Sequence, residues 1–167
     1  MHGHFRLNDV LRWSEGKADI ISILRDPIQR YLSYYNFWKY KMGLEHMNKN
    51  FQRFRKDDAP FVDFIKYDFM NQEGFEYVHP DLKHKFKFIG TVKFFQASIN
   101  TLASMYGKQS VPMGSKANVT SRQFNWDQLT PQEKEEVHAV VKEERDFYKE
   151  IEAMEGGWVQ PEKEGDL

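Results

Sequence analysis

Apolar residues in this chain fall into two short continuous runs and several stripes at helical spacing. Residues 19–24, Asp-Ile-Ile-Ser-Ile-Leu, are nearly unbroken in apolar character, as expected of a strand covered on both faces. Phe86 to Val92 reads as a second strand. After the first run, Ile28, Tyr31, Leu32, Tyr35, Trp38 and Met42 recur at helical intervals. They predict a helix that opens on Pro27 and runs to about Met42, with Gly43 as its stop. Phe61, Phe64, Ile65 and Phe69 share one face of another helix, for which Asp58 is the expected cap. A further helix is expected from about Phe94 to Tyr106, ended by Gly107. Thr130-Pro131-Gln132-Glu133 has the form of a capping box with proline in the first turn. The helix behind it carries Val137, Val140, Val141, Phe147, Tyr148 and Ile151 on one side.

The intervening segments are weaker. Residues 3–7 suggest a short strand, 44–58 a loop or loose helix, and His79-Pro80 to Lys85 a short helical piece. Residues 108–128 read as a long loop, of the kind that often carries function. The tail after Gly156-Gly157 is acidic, and a frayed end is expected there. Alternating strands and helices predict α/β layers in a single domain over residues 1–155, followed by an acidic tail at 156–167.

Composition narrows the function classes. With Lys+Arg 24 against Asp+Glu 25, bulk charge gives no argument for a nucleic-acid binder. The absence of cysteine removes disulfides and cysteine catalysis, and weighs against a disulfide-stabilised secreted domain. No apolar run approaches the ~18–20 residues needed to span a bilayer. The opening MHGHFRLND lacks the apolar core of a signal peptide. A cytoplasmic protein, or a piece of a larger one, is the expectation.

Three constellations carry candidate chemistry. In the first, Arg25 sits where the first strand turns into the Pro27 helix, and Ser33 lies two helical turns further on. Strand ends that feed helix N-termini are common anion sites in α/β sheets. Arginine adds a planar fork that matches phosphate oxygens. The competing reading is purely structural, with Asp26 pairing Arg25 or Arg30 and the turn serving only as a cap. In the second, His2 and His4 flank Gly3 and would share one face of a strand. A neutral imidazole suits removal of a proton from a hydroxyl, and the competing reading, the stronger one on these residues alone, is an accidental pair beside the initiator. Zinc is disfavoured, because His46, His79, His84 and His138 show no ligand spacing and no cysteine is present. In the third, Asn118-Val119-Thr120-Ser121-Arg122 brings hydroxyls and a cation together in the long loop, where a solvated turn is the alternative. Asn118 to Thr120 also has the form of a glycosylation signal, which the lack of cysteine argues against.

Taken together, these segments resemble the sulfotransferases that use 3′-phosphoadenosine 5′-phosphosulfate. Leu24-Arg25-Asp26-Pro27-Ile28-Gln29-Arg30-Tyr31-Leu32-Ser33 is similar to the family's 3′-phosphate-binding segment. His2-Gly3-His4 upstream and Ser33-Tyr34-Tyr35 resemble the uronyl (heparan sulfate) 2-O-sulfotransferases. The resemblance implies a P-loop-type parallel sheet flanked by helices, and transfer of a sulfuryl group from the nucleotide to a carbohydrate hydroxyl. It implies His4 as catalytic base with His2 accessory, Arg25 and Ser33 on the 3′-phosphate, and Thr120, Ser121 and Arg122 over the phosphates. Arg30 would be a helix-surface or supporting residue. Lys93 stands where many members carry an acidic residue, so no role passes to it. Lys49, Arg53, Arg55 and Lys56 would meet an anionic glycan acceptor, or form a solvated face. No segment here matches the family's first strand–loop–helix unit, which holds the 5′-phosphosulfate. The alternative is therefore an inactive nucleotide- or glycan-binding module, or fragment, of the same fold.

Overall fold

The computed structural model describes residues 18–40, 49–68, 70, 80–109, 112 and 124–161. Strand β1 (Ile21–Leu24) leads through Arg25 and Asp26 into helix α1 (Pro27–Tyr40). Helices α2 (Lys49–Asp57) and α3 (Phe61–Phe64) follow, then a 3-10 turn at Pro80–Lys85 and strand β2 (Phe88–Thr91). Helix α4 (Phe95–Met105), a second 3-10 turn (Trp126–Gln128), α5 (Pro131–Val140), α6 (Lys142–Glu152) and β3 (Trp158–Val159) complete the described elements. The expected strand at 3–7 lies outside the described residues.

The architecture is mixed α/β on a small three-stranded sheet, ordered β1-β2-β3. β1 and β2 are parallel, with Ile21 opposite Phe88 and Leu24 opposite Thr91. All four β2 residues are buried, as a central strand requires. Its alternation sets the layers. Ile89 packs with Phe147 and Ile151 of α6. Gly90 points to the other face, against Ser98 of α4. A Cβ on Gly90 would stand 2.6 Å from the Ser98 Cβ and 2.8 Å from the Ile23 Cδ1. The missing side chain thus lets α4 lie directly on the sheet. Ser98 Oγ in turn accepts from the Thr91 amide at 3.1 Å.

A larger core lies between the helices. Tyr35 and Trp38 of α1, Phe54 of α2, and Phe61 and Phe64 of α3 meet edge to face, with centroids 5.0–6.0 Å apart where Phe54 pairs Phe64 and Trp38 pairs Phe54. Asn36 fastens this layer. Its amide donates to the Leu32 and Phe124 carbonyls, both at 2.8 Å, and its oxygen accepts from the Phe124 amide. Val137 and Val141 close the same core from α5.

Several expectations are corrected. The last helix is two helices, broken at Val141. Val137 and Val141 serve the helical core while Phe147 and Ile151 serve the sheet, and one straight stripe would not reach both. Val140, expected on the apolar side, is exposed. Asp58 does not cap α3. The residue before a proline is held extended, so the helix starts only at Phe61 and Pro60 occupies the cap position. Asp58 instead closes α2 in a left-handed conformation (φ 43°), its carboxylate 3.4 Å from the Lys39 ammonium. Residues 49–57 are a definite helix, because Phe51 and Phe54 have a core to enter. The tail after Gly157 is not frayed at its start. Gly157 turns at φ 96°, and Trp158 and Val159 pair antiparallel with Ile89 and Phe88. The sheet is therefore mixed rather than wholly parallel. The Thr130 box is present as read: the Thr130 hydroxyl accepts from the Glu133 amide, and Glu133 accepts from the Thr130 amide at 2.8 Å.

Candidate functional site

The carboxyl ends of both parallel strands open onto one cavity of about 510 Å³. Ligands of open α/β sheets bind at such strand ends. β1 delivers Arg25 and Asp26 to it, and β2 delivers Val92 and Lys93. The first turn of α1 adds Ile28 and Gln29, and Trp126 comes from the second 3-10 turn. The far wall is a stripe running down α5 and α6: His138, Arg145, Tyr148 and Glu152.

Asp26 is the cap of α1. Its Oδ1 accepts from the Gln29 amide at 3.0 Å, and its carbonyl accepts from the Arg30 amide at 2.9 Å. Pro27 has no amide proton. Of the first turn, only Ile28 keeps an amide that Asp26 does not engage. The helix end therefore offers a ligand little direct hydrogen bonding, and recognition falls to side chains. Arg25 is exposed at the cavity wall, and no described carboxylate lies within ion-pair distance of it.

On the far wall, an Arg145 terminal nitrogen stands 2.8 Å from His138 Nδ1. Arginine only donates, so Nδ1 accepts and the imidazole carries its proton on Nε2. Burial first, and then Arg145 and Lys149, hold the His138 pKa below the usual histidine value, which keeps this neutral form. Trp126 packs edge-on against the ring, at 5.3 Å between centroids. Burial and the neighbouring Glu152 carboxylate push the Tyr148 hydroxyl well above the usual tyrosine value. Glu152 is itself held by Lys93 at 3.2 Å. The wall thus keeps a neutral imidazole, an un-ionised phenol and a fixed cation. Around the cavity the cations Arg25, Lys93 and Arg145 stand with the carboxylates Asp26 and Glu152.

Behind the cavity, Arg30 and Glu144 join α1 to α6 by a fork. One guanidinium nitrogen donates to Glu144 Oε2 at 2.9 Å, and the other pairs with Oε1. Burial costs both charges: it would lower Arg30, but Glu144 outweighs it and raises that pKa. On Glu144, burial prevails over the pull of Arg30, so the carboxyl titrates above its ordinary range. The doubled contact argues for a charged pair. Arg30 is therefore an inter-helix support rather than a helix-surface residue, of the two places the sequence left open, and its partner is Glu144 rather than Asp26.

Of the sequence-predicted site residues, Arg25 lies on the cavity wall. Ser33 is half-buried on α1 one turn beyond Gln29, and is not part of that wall. His2, His4, Thr120, Ser121 and Arg122 lie outside the described residues. In the basic stretch, Arg55 donates to the Lys39 carbonyl at 2.8 Å, and Arg53 lies over Tyr67 and 3.7 Å from Asp57, so both have structural duties. Sequence reading missed His138, Arg145, Tyr148 and Glu152. Their helical spacing was a usable signal, hidden beside the apolar stripe of the same segment. Among the described residues, no group of His, Asp or Glu is arranged to hold a metal ion, and no helix is long and apolar enough to cross a membrane. Compared with protein-family models, curated proteins and solved structures, the chain gives no match.

Proposed function

We propose that this chain is the nucleotide-binding and acceptor-activating part of a carbohydrate sulfotransferase with a P-loop-type sheet. One observation carries the reading. Arg25, in the order Leu-Arg-Asp-Pro-x-x-Arg-x-x-Ser, stands free of described carboxylates on a cavity at the ends of two parallel strands. A guanidinium in that setting suits a phosphate. Arg25 would hold the 3′-phosphate of 3′-phosphoadenosine 5′-phosphosulfate at the cavity; Ser33, which does not line it, and Thr120, Ser121 and Arg122 over the nucleotide are carried by the resemblance alone. That donor supplies an activated sulfuryl group. His4, aided by His2, would take the proton from a sugar hydroxyl as the hydroxyl oxygen attacks sulfur and the bond from sulfur to the 5′-phosphate oxygen breaks, releasing adenosine 3′,5′-bisphosphate. Positioning and charge stabilisation would supply most of the rate.

The test is a calorimetric titration with adenosine 3′,5′-bisphosphate. Binding is expected, and Arg25→Gln should weaken it by about 1.5–3 kcal/mol, the scale of a charge-assisted hydrogen bond. Equal affinity of the two proteins would remove Arg25 from the site. Transfer of labelled sulfate to a uronic-acid-containing glycan, lost in His4→Ala with nucleotide binding kept, would establish the enzyme. Binding without transfer would leave a nucleotide-binding module.

A further inference from the structure

The cavity holds more positive charge than the 3′-phosphate reading uses. Of its carboxylates, Glu152 is paired with Lys93. Asp26 sits at the positive end of α1, bonded to the Gln29 amide. Two guanidinium groups remain, Arg25 on the strand side and Arg145 on the α6 side, and no described carboxylate lies within ion-pair distance of either. Arg145 is the more constrained. A terminal nitrogen is fixed by an uncharged acceptor, His138 Nδ1. Its Nε is shielded from solvent and has no hydrogen-bond partner. The Arg30 Nε is in the same state inside its ion pair, and a shielded Nε is out of a ligand's reach, so an anion at Arg145 would meet its terminal nitrogens. A neutral imidazole orients the guanidinium without cancelling its charge, whereas a carboxylate in its place would do both.

We propose that Arg145 is a second anion anchor, and that the cavity receives one small ligand carrying two anionic groups, one at Arg25 and one at Arg145. This rests on the nucleotide reading for the ligand's identity but not for its charge pattern. Under that reading the ligand is a nucleoside bisphosphate, with its second phosphate facing α6. His138 is the positioning residue for Arg145.

The experiment compares adenosine 3′,5′-bisphosphate, the 3′- and 5′-monophosphates of adenosine, and fructose 1,6-bisphosphate on the wild-type chain, Arg145→Gln and Arg145→Lys. Circular dichroism checks each variant, and one folded variant suffices. Adenosine bisphosphate is expected to bind at least tenfold more tightly than either monophosphate. Arg145→Gln should erase that difference while leaving the 3′-monophosphate unchanged. An unchanged ratio would overturn the second anchor and leave the nucleotide reading standing. Arg145-dependent binding of fructose bisphosphate alone would keep the anchor and overturn the nucleotide. Failure of every probe to bind would overturn both.

Discussion

Replacing Arg30 by methionine removes one half of the fork that ties α1 to α6. Methionine keeps most of the stem and its packing, so the lost charge dominates. Glu144 then keeps a carboxylate in a site where its side chain is only 10% exposed, with no replacement cation paired to it among the described residues. Breaking a fully buried pair costs about 3–5 kcal/mol. Arg30 is 19% exposed, so water partly relieves the orphan charge, and about 2–3 kcal/mol is expected. For a domain of this size that is a fall in Tm of about 5–10 °C, read by circular dichroism at neutral pH. Burial already pushes the Glu144 carboxyl upward, and loss of Arg30 pushes it further. A raised carboxylate pKa means the folded state takes up a proton more readily than the unfolded one. The variant's deficit should therefore shrink as pH falls from about 7 towards about 4. Arg30→Met/Glu144→Leu removes both charges and should return to within about 1 kcal/mol of wild type. A single-variant deficit below about 1 kcal/mol that does not change with pH would refute the reasoning, as would a double variant no better than the single.

Gly90→Ala places a methyl group against Ser98 and Ile23, and should cost about 1–3 kcal/mol in urea unfolding, with partial recovery in Gly90→Ala/Ser98→Gly. Unchanged stability would mean that α4 shifts freely on the sheet. Thr130→Ala removes the hydroxyl that accepts from the Glu133 amide and should cost about 1 kcal/mol by the same measurement. His138 has a folded pKa below its ordinary 6.5, so the unfolded chain binds more protons in that window. Its contribution is complete above 6.5 and is lost as pH falls through the lowered value. His138→Gln should flatten that part of a stability-versus-pH curve, and an identical slope would exclude His138 as its source.

The local signals in the sequence were sound where the physics is local. The β1 run, the Pro27 start of α1, the Thr130 box and the Gly107 stop each depend on neighbouring residues, and each stands near its expected place. Arg25 was legible as the residue of the strand-to-helix turn for the same reason, and that turn places it on the cavity wall. Burial against distant partners decided the rest. The break at Val141 exists because two cores claim two halves of one stripe. Trp158 and Val159 form a strand because the edge of β2 and a positive-φ glycine are there to receive them. Arg30 chose Glu144 over its near neighbours because the fold carries α6 behind α1. The far wall of the cavity, with Arg145 held by His138, exists only once α5 and α6 are docked. The sequence by itself determined the elements and the turn that presents Arg25, since those rest on short-range sterics and periodicity. Only the tertiary structure decided which charges are left unpaired, because pairing depends on residues brought together from distant parts of the chain.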